Sequence, residues 1–320
     1  MPLSRHPANP ILTRADIPAS EAHLADVSSV FNPGAALLDG RVFLLLRVQN
    51  RGRETYLMGA DSEDGVRFRV RPGEIPLRDL SRAGRVYHAY DPRITRIEDE
   101  WLVVLALDRD DDCRLGLAAT KDFRELRFLD VISEDDSRNG ALFPERIGGK
   151  WAMLERPNRV RPDDGPPTGD EIVLSYSDDL RVWRRRATVA KGRWRYWDER
   201  IAPGTPPVKT REGWLLLYHG VATHFASANV YQVGALLLDL DDPSRLLART
   251  RYNILEPREP YEMVGQVPNV VLPCGWVVPD RDAEGFALPE SRALVYYGAA
   301  DTTVCLATTT IAELLEDCRA

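Results

Sequence analysis

One pattern recurs five times along this chain, and it leaves few architectures open. Each copy has a proline-marked start, a short apolar run, a polar turn and a second apolar run. The first runs from Asn32-Pro33 through Leu38, turns at Asp39-Gly40, and continues as Val42 to Val48. The second runs from Asp91-Pro92 through Ile97, turns at Glu98-Asp99-Glu100, and continues as Trp101 to Leu107. The third is Phe143-Pro144 to Ile147, then Gly148-Gly149-Lys150, then Trp151 to Leu154. The fourth is Thr205-Pro206 to Lys209, then Glu212-Gly213, then Trp214 to Tyr218. The fifth starts at Val267-Pro268, carries a long insert through Glu290, and ends with Ala293 to Tyr297. The marker prolines, at 33, 92, 144, 206 and 268, lie 59, 52, 62 and 62 residues apart.

The runs are short, β-branched and aromatic, and turn residues bound them, which is the signature of strands. Several copies add a third run before an aspartate, as in Tyr56 to Ala60, Leu115 to Thr120 and Ile172 to Ser177. Proline is tolerated at a strand start, where the ladder loses little. Repeats of about 50–60 residues with three or four strands read as propeller blades. The chain is therefore expected to be all-β, a five-bladed β-propeller forming a single domain over residues 1–320. A β-sandwich with coincidental spacing is the competing architecture. Residues 1–30 read as an N-terminal arm that closes the ring, and Thr310 to Arg319 as a short amphipathic C-terminal helix.

Composition narrows the function classes. With 28% charged and 44% hydrophobic residues the chain reads as an ordinary globular protein. Its net charge of −7 argues against nucleic acid, whose phosphates reward a basic face. The run Trp101 to Leu107 falls far short of the ~20 apolar residues that a membrane helix needs. The N-terminus lacks the apolar stretch of a signal peptide. Cys113, Cys274, Cys305 and Cys318 form no CxxC pair and read as free thiols, so a cytoplasmic location is expected. The five histidines, at 6, 23, 88, 219 and 224, form no ligand pair, and no metal or cofactor is expected. Lysine occurs only at 121, 150, 191 and 209, so any anion site must be built from arginine forks.

Strand starts converge at one mouth of a propeller. Asn32 and Asp91 sit at two of them. The ends of the second runs carry Arg47, Asp108, Glu155-Arg156, His219 and Asp301 in matching register. Polar residues gathered at one mouth make a concave site, the ordinary place for a ligand. A carboxyl there, flanked by Tyr90 and fixed by Pro92, suits a proton donor to a leaving oxygen. Asp91-Pro92 is equally a common turn pair, and Asn32 before Pro33 a common Asx turn.

Five strings carry a resemblance. They are Val30 to Ala35, Asp91 to Thr95, Arg138 to Glu145, Gly213 to Gly220 and Tyr296 to Thr302. In order and spacing, from about Asn9 to Leu315, the chain resembles glycoside hydrolase family 130, which contains β-mannoside phosphorylases and a smaller set of β-1,2-mannosidases. The resemblance implies a five-bladed propeller. It makes Asp91 the general acid, acting through a sugar hydroxyl. It assigns phosphate to Arg53, Arg138, Asn139, Arg200, His219 and, on a looser alignment, Tyr231. Arg200 falls where the phosphorylases usually carry lysine. Mannose hydroxyls fall to Asn32, Arg47 and Asp301, beside Tyr90.

The expected reaction is inverting phosphorolysis of a β-mannoside, releasing α-mannose 1-phosphate. Inorganic phosphate is then a co-substrate, and self-association into a homo-oligomer is left open. An inverting β-mannosidase is the alternative and needs a carboxylate base. Glu145, Glu155 and Glu199 are its candidates. A non-catalytic carbohydrate-binding propeller is the third reading. Trp194, Trp197 and Tyr261 are candidate platforms for further sugar rings or buried packing residues. The loops Arg161 to Asp170 and Val277 to Leu288 are expected to set linkage and leaving group.

Overall fold

The computed structural model describes residues 3–161, 167–223 and 229–320. His224, and residues 162–166 of the loop expected to set linkage, lie outside the described residues. Five antiparallel meanders form five sheets. Blade one comprises Val27–Leu38, Arg41–Asn50, Thr55–Ser62 and Arg69–Val70. Blade two comprises His88–Ile97, Glu100–Asp108, Cys113–Thr120 and Leu126–Val131, with Leu77–Arg78 added parallel at its edge. Blade three runs from Ser137–Leu142 to Trp183–Lys191, and blade four from Arg200–Pro203 to Leu246–Arg249. Blade five comprises Val271–Val277, Arg292–Ala299 and Thr303–Thr310.

The arm closes the ring. Ser4 and Arg5 pair with Thr308 and Ala307 as the outermost strand of blade five, and Leu12 bridges to Val304. The arm thus covers a sheet edge that would otherwise present unpaired amides and carbonyls. The helix at Ile311–Arg319 is capped by Thr310 and Glu313 in a reciprocal box and buries Ile311, Leu314, Leu315 and Cys318.

The core lies between blades. Phe43 and Leu45 of blade one pack on Val103 and Leu105 of blade two. The alternate residues, Leu44 and Leu46, pack on Val277 and Tyr296 of blade five. Both faces of these middle strands are buried, so they read as unbroken apolar runs rather than alternating ones. Arg47 continues the row Phe43, Leu45 and so faces blade two. All four cysteines are buried and free. No helix is long and apolar enough to cross a membrane.

The prolines mark the repeat less regularly than the spacing suggests. Pro33 and Pro92 lie inside strands, at bulges, rather than at strand starts. The residues structurally equivalent to Phe31–Gly34 and Tyr90–Arg93 are Arg138–Ala141 in blade three and Pro203 onward in blade four. Pro144 follows its innermost strand, Pro206 interrupts one, and Pro268 precedes one. A bulge suspends the ladder, so proline, glycine or cysteine is tolerated there and the position need not repeat one residue type.

Candidate active site

Three successive blades aim a polar side chain at the axis by one device. The pairing register slips between Phe31 and Gly34, between Tyr90 and Arg93, and between Arg138 and Ala141. In each slip one residue takes a left-handed backbone: Asn32 at φ 47°, Asp91 at φ 52° and Asn139 at φ 59°. Asn and Asp tolerate this region best among residues with a side chain, and the bulge turns them out of the alternation. Gly298 of blade five completes the arrangement, because a β-carbon there would collide with the Asn32 side chain. Asp301 enters from the blade-five hairpin, whose central residues Ala300 and Asp301 both have positive φ.

Asn32, Asp91, Asn139 and Asp301 line one cavity of about 260 Å³. One wall holds carboxylates and a single cation. Asp91 Oδ1 accepts from Arg47 Nη1 and from Asn32 Nδ2, each at 2.9 Å. Among the described residues, Asp91 Oδ2 has no protein partner. The Arg47 guanidinium is clamped between the Phe31 and Tyr90 rings, 4.3 and 4.4 Å from their centroids. Burial alone would lower the Arg47 pKa, but the charges of Asp91 and Asp301 outweigh it and hold it above its ordinary value. Asp301 shows the opposite balance. Burial first, then repulsion from Asp91, pushes its carboxyl up to about 6 despite the pull of Arg47.

The neighbouring part of the lining carries two arginines beside one carboxylate. Arg138 and Arg156 are register partners on neighbouring strands of blade three. Arg138 lies 3.5 Å from Asp108, whose carboxylate also accepts from the Tyr90 hydroxyl at 2.8 Å. Arg156 forms no ion pair among the described residues. Burial, joined by repulsion from Arg138, brings its pKa down to about 10, so it remains a cation at neutral pH. His219 is buried; desolvation, with Arg156 and Arg93 nearby, holds its pKa well below the usual histidine range. It is a neutral donor or acceptor, not a third positive charge. Tyr231, tied through its amide to the Asn269 carbonyl, places its ring 6.0 Å from that of His219.

Unsatisfied polar atoms concentrate here. Among the described residues, Asn32 Oδ1, Arg47 Nε, Arg138 Nε, Arg156 Nε and His219 Nδ1 are buried without a partner, and all belong to cavity-lining residues. Buried polar groups are normally paired, and orphans grouped around one cavity mark a place for a polar ligand.

Most of the expected site thus assembles: Asn32, Arg47, Tyr90, Asp91, Arg138, Asn139, His219, Tyr231 and Asp301 all line the cavity. Arg53 and Arg200 do not. Arg53 sits exposed in the turn that joins the second and third strands of blade one, its amide bonded to the Asn50 carbonyl. That hairpin carries it past the rim. Arg200 is half-buried opposite Val221, and its charge is felt at Tyr231, but it stays outside the lining. Arg156 and Asp108 join the lining, and their strand-end register was the available signal.

The three candidate bases lie elsewhere. Glu145 pairs with Lys209 at 2.6 Å. Glu155 is buried behind the site, accepting from Ser137 and Ser175 at 2.6 Å each. Glu199 is half-buried in the stretch leading to Arg200 and does not line the cavity. The aromatic residues are also outside it. Trp194 is exposed, Trp197 packs on Tyr218 and donates to the Arg251 carbonyl, and Tyr261 packs against the core between blades four and five.

Similarity to known proteins extends along nearly the whole chain. The Glyco_hydro_130 family model, described as beta-1,4-mannooligosaccharide phosphorylase, matches residues 2–320. The chain is 32% identical to the beta-1,4-mannooligosaccharide phosphorylase of Ruminococcus albus, covering 98% of this chain and 89% of that one. It is 33% identical to the 1,2-beta-oligomannan phosphorylase of a Thermoanaerobacter species, covering 88% and 89%. The solved beta-1,2-mannobiose phosphorylase of Listeria innocua, in complex with beta-1,2-mannobiose, superposes with a TM-score of 0.83 at 28% identity, covering 100% and 99%. The chain belongs to glycoside hydrolase family 130.

Proposed function

We propose that this protein is an inverting phosphorylase that cleaves a β-mannoside with inorganic phosphate and releases α-mannose 1-phosphate. The names of its relatives support the reaction class, and those relatives include enzymes for both β-1,4 and β-1,2 linkages. The observation that carries the reading is the division of the cavity. A proton donor stands on one wall, and buried guanidiniums with orphaned N–H groups stand on the other.

Asn32, Arg47 and Asp301 hold the hydroxyls of the reacting mannose. Asp91, fixed through Oδ1, donates from Oδ2 toward the leaving side, directly or through a sugar hydroxyl. Phosphate rests on Arg138, Asn139, Arg156, His219 and Tyr231. Guanidinium forks suit its oxygens, and a neutral histidine donates without repelling the arginines. A phosphate oxygen forms the new bond to the anomeric carbon as the glycosidic bond breaks. The leaving oxygen takes the proton, and the anomeric configuration inverts. Hydrolysis would need a carboxylate placed to activate water. Glu145, Glu155 and Glu199 are not in the cavity, and Asp108 is engaged with Tyr90 and Arg138. No cofactor is required beyond phosphate as co-substrate.

The test is phosphate dependence. Cleavage of a β-mannoside should require phosphate and yield a mannose phosphate, and full-rate cleavage in phosphate-free buffer would overturn the reading. Incubation with α-mannose 1-phosphate and an acceptor panel then identifies the linkage from the disaccharide made.

A further inference from the structure

Arg47 and Arg138, the other guanidiniums in the cavity, each face a carboxylate, Asp91 and Asp108 respectively. Arg156 is treated differently. Its Nη2 donates to Asn158 Oδ1 at 2.6 Å. Asn158 Nδ2 in turn donates to Asp136 Oδ1 at 2.6 Å, and that oxygen also accepts from the Cys113 amide at 3.2 Å. The Asn158 amide donates to the Asp136 carbonyl at 2.9 Å, so the two residues are tied twice. Asn158 is 4% exposed.

The chemistry of these three groups fixes the amide's orientation. A guanidinium only donates and a carboxylate only accepts. The amide between them must turn its nitrogen to Asp136 and its oxygen to Arg156. Among the described residues the guanidinium is therefore held by a strong hydrogen bond without being neutralised by direct contact. The nearest negative charge in this chain of contacts is one residue further away. A carboxylate in the place of Asn158 would hold Arg156 as firmly but would compete with any anion for its charge.

We propose that Asn158, oriented by Asp136, is a positioning residue that fixes Arg156 while leaving its charge available to the incoming phosphate. This rests on the phosphorolytic reading given above. The relay lies behind the cavity wall. Asn158 and Asp136 line a neighbouring recess rather than the reaction cavity, and neither needs to touch substrate.

The decisive variant exchanges the two residues, Asp136→Asn with Asn158→Asp. The exchange keeps a donor and an acceptor between the two side chains, at the expense of the longer bond from the Cys113 amide. It moves the negative charge onto Arg156. Initial rates give KM for phosphate and for a β-mannoside separately, and calorimetry gives the affinity for inorganic phosphate alone. A merely structural pair would leave both nearly unchanged. The positioning role requires phosphate KM to rise about tenfold or more, the scale of a charge-assisted hydrogen bond, with mannoside KM within about twofold.

An unchanged phosphate KM, or an equal rise in both KM values, overturns the proposal. Should the exchange variant fail to fold by thermal melting, Asp136→Asn alone serves. It frees the amide to rotate and is expected to raise phosphate KM about threefold, and no change refutes the role. A parent enzyme that cleaves without phosphate refutes the phosphorolytic reading and this inference with it. A phosphate-dependent parent with a silent exchange variant refutes the positioning role alone.

Discussion

Arg47 and Arg156 line the same cavity from blades one and three, yet their charges are handled in opposite ways. Arg47 is stacked between two rings and compensated by Asp91 and Asp301, so its wall holds no uncompensated positive charge and is rich in fixed hydrogen-bonding groups. Among the described residues the Arg156 guanidinium is bonded only to an amide oxygen, and burial and Arg138 depress its pKa. The first arrangement suits neutral hydroxyls and a proton donor. The second keeps an unspent positive charge where a dianion would relieve the mutual repulsion of two arginines. Burying two like charges side by side costs stability, and a bound phosphate would repay it.

The comparison breaks most cleanly at its two poles. Asp91→Asn should lower kcat about 10³-fold, within the usual range for loss of a general acid, while leaving phosphate binding intact. Arg156→Ala should do the reverse, raising phosphate KM about 100-fold and leaving mannoside KM nearly unchanged. If each variant moved both KM values equally, the two walls would not be separate functional units.

Asp301 sharpens the comparison through pH. Its carboxyl is raised from 3.8 to about 6 in the folded protein. The folded form thus binds this proton more tightly than the unfolded chain. The stability this contributes is fully present below about pH 4 and is lost as pH rises through about 6. Asp301→Asn escapes that loss, so it should gain on the parent between about pH 4 and pH 7 by at most about 3 kcal/mol. Thermal melts across that range check the sign, and parallel curves for the two proteins would contradict it. The smallest effect is expected at Arg53. Arg53→Ala should leave phosphate KM within about twofold, because an exposed turn residue outside the cavity has little to lose.

How much of this was legible beforehand varied by residue. The strand runs from Val42, Trp101, Trp151, Trp214 and Ala293 all became second strands of blades, because a strand buried on both faces leaves a continuous apolar signature. Asn32 and Asp91 were visible because each precedes a proline at a bulge. Asn139 sits at the same bulge position without a proline, and only its resemblance string pointed to it. Arg156 was visible as a strand-end charge but not as part of the site, since its value depends on which neighbours lack carboxylates. Arg53 follows the strand that carries Arg47, but the hairpin turn leaves it exposed and outside the cavity lining.

The sequence by itself determined the number of blades, the closing arm, the capped helix and the polar residues gathered at one mouth. Periodicity and turn chemistry are local, and they survive without knowledge of partners. Only the tertiary structure decided which arginines are compensated, which oxygen of Asp91 is occupied, and that His219 is neutral. Most of those properties belong to contacts between residues distant in sequence, such as Arg47 with Asp91 of the next blade. They arise from burial and from charges brought within a few ångströms, and no single segment encodes them.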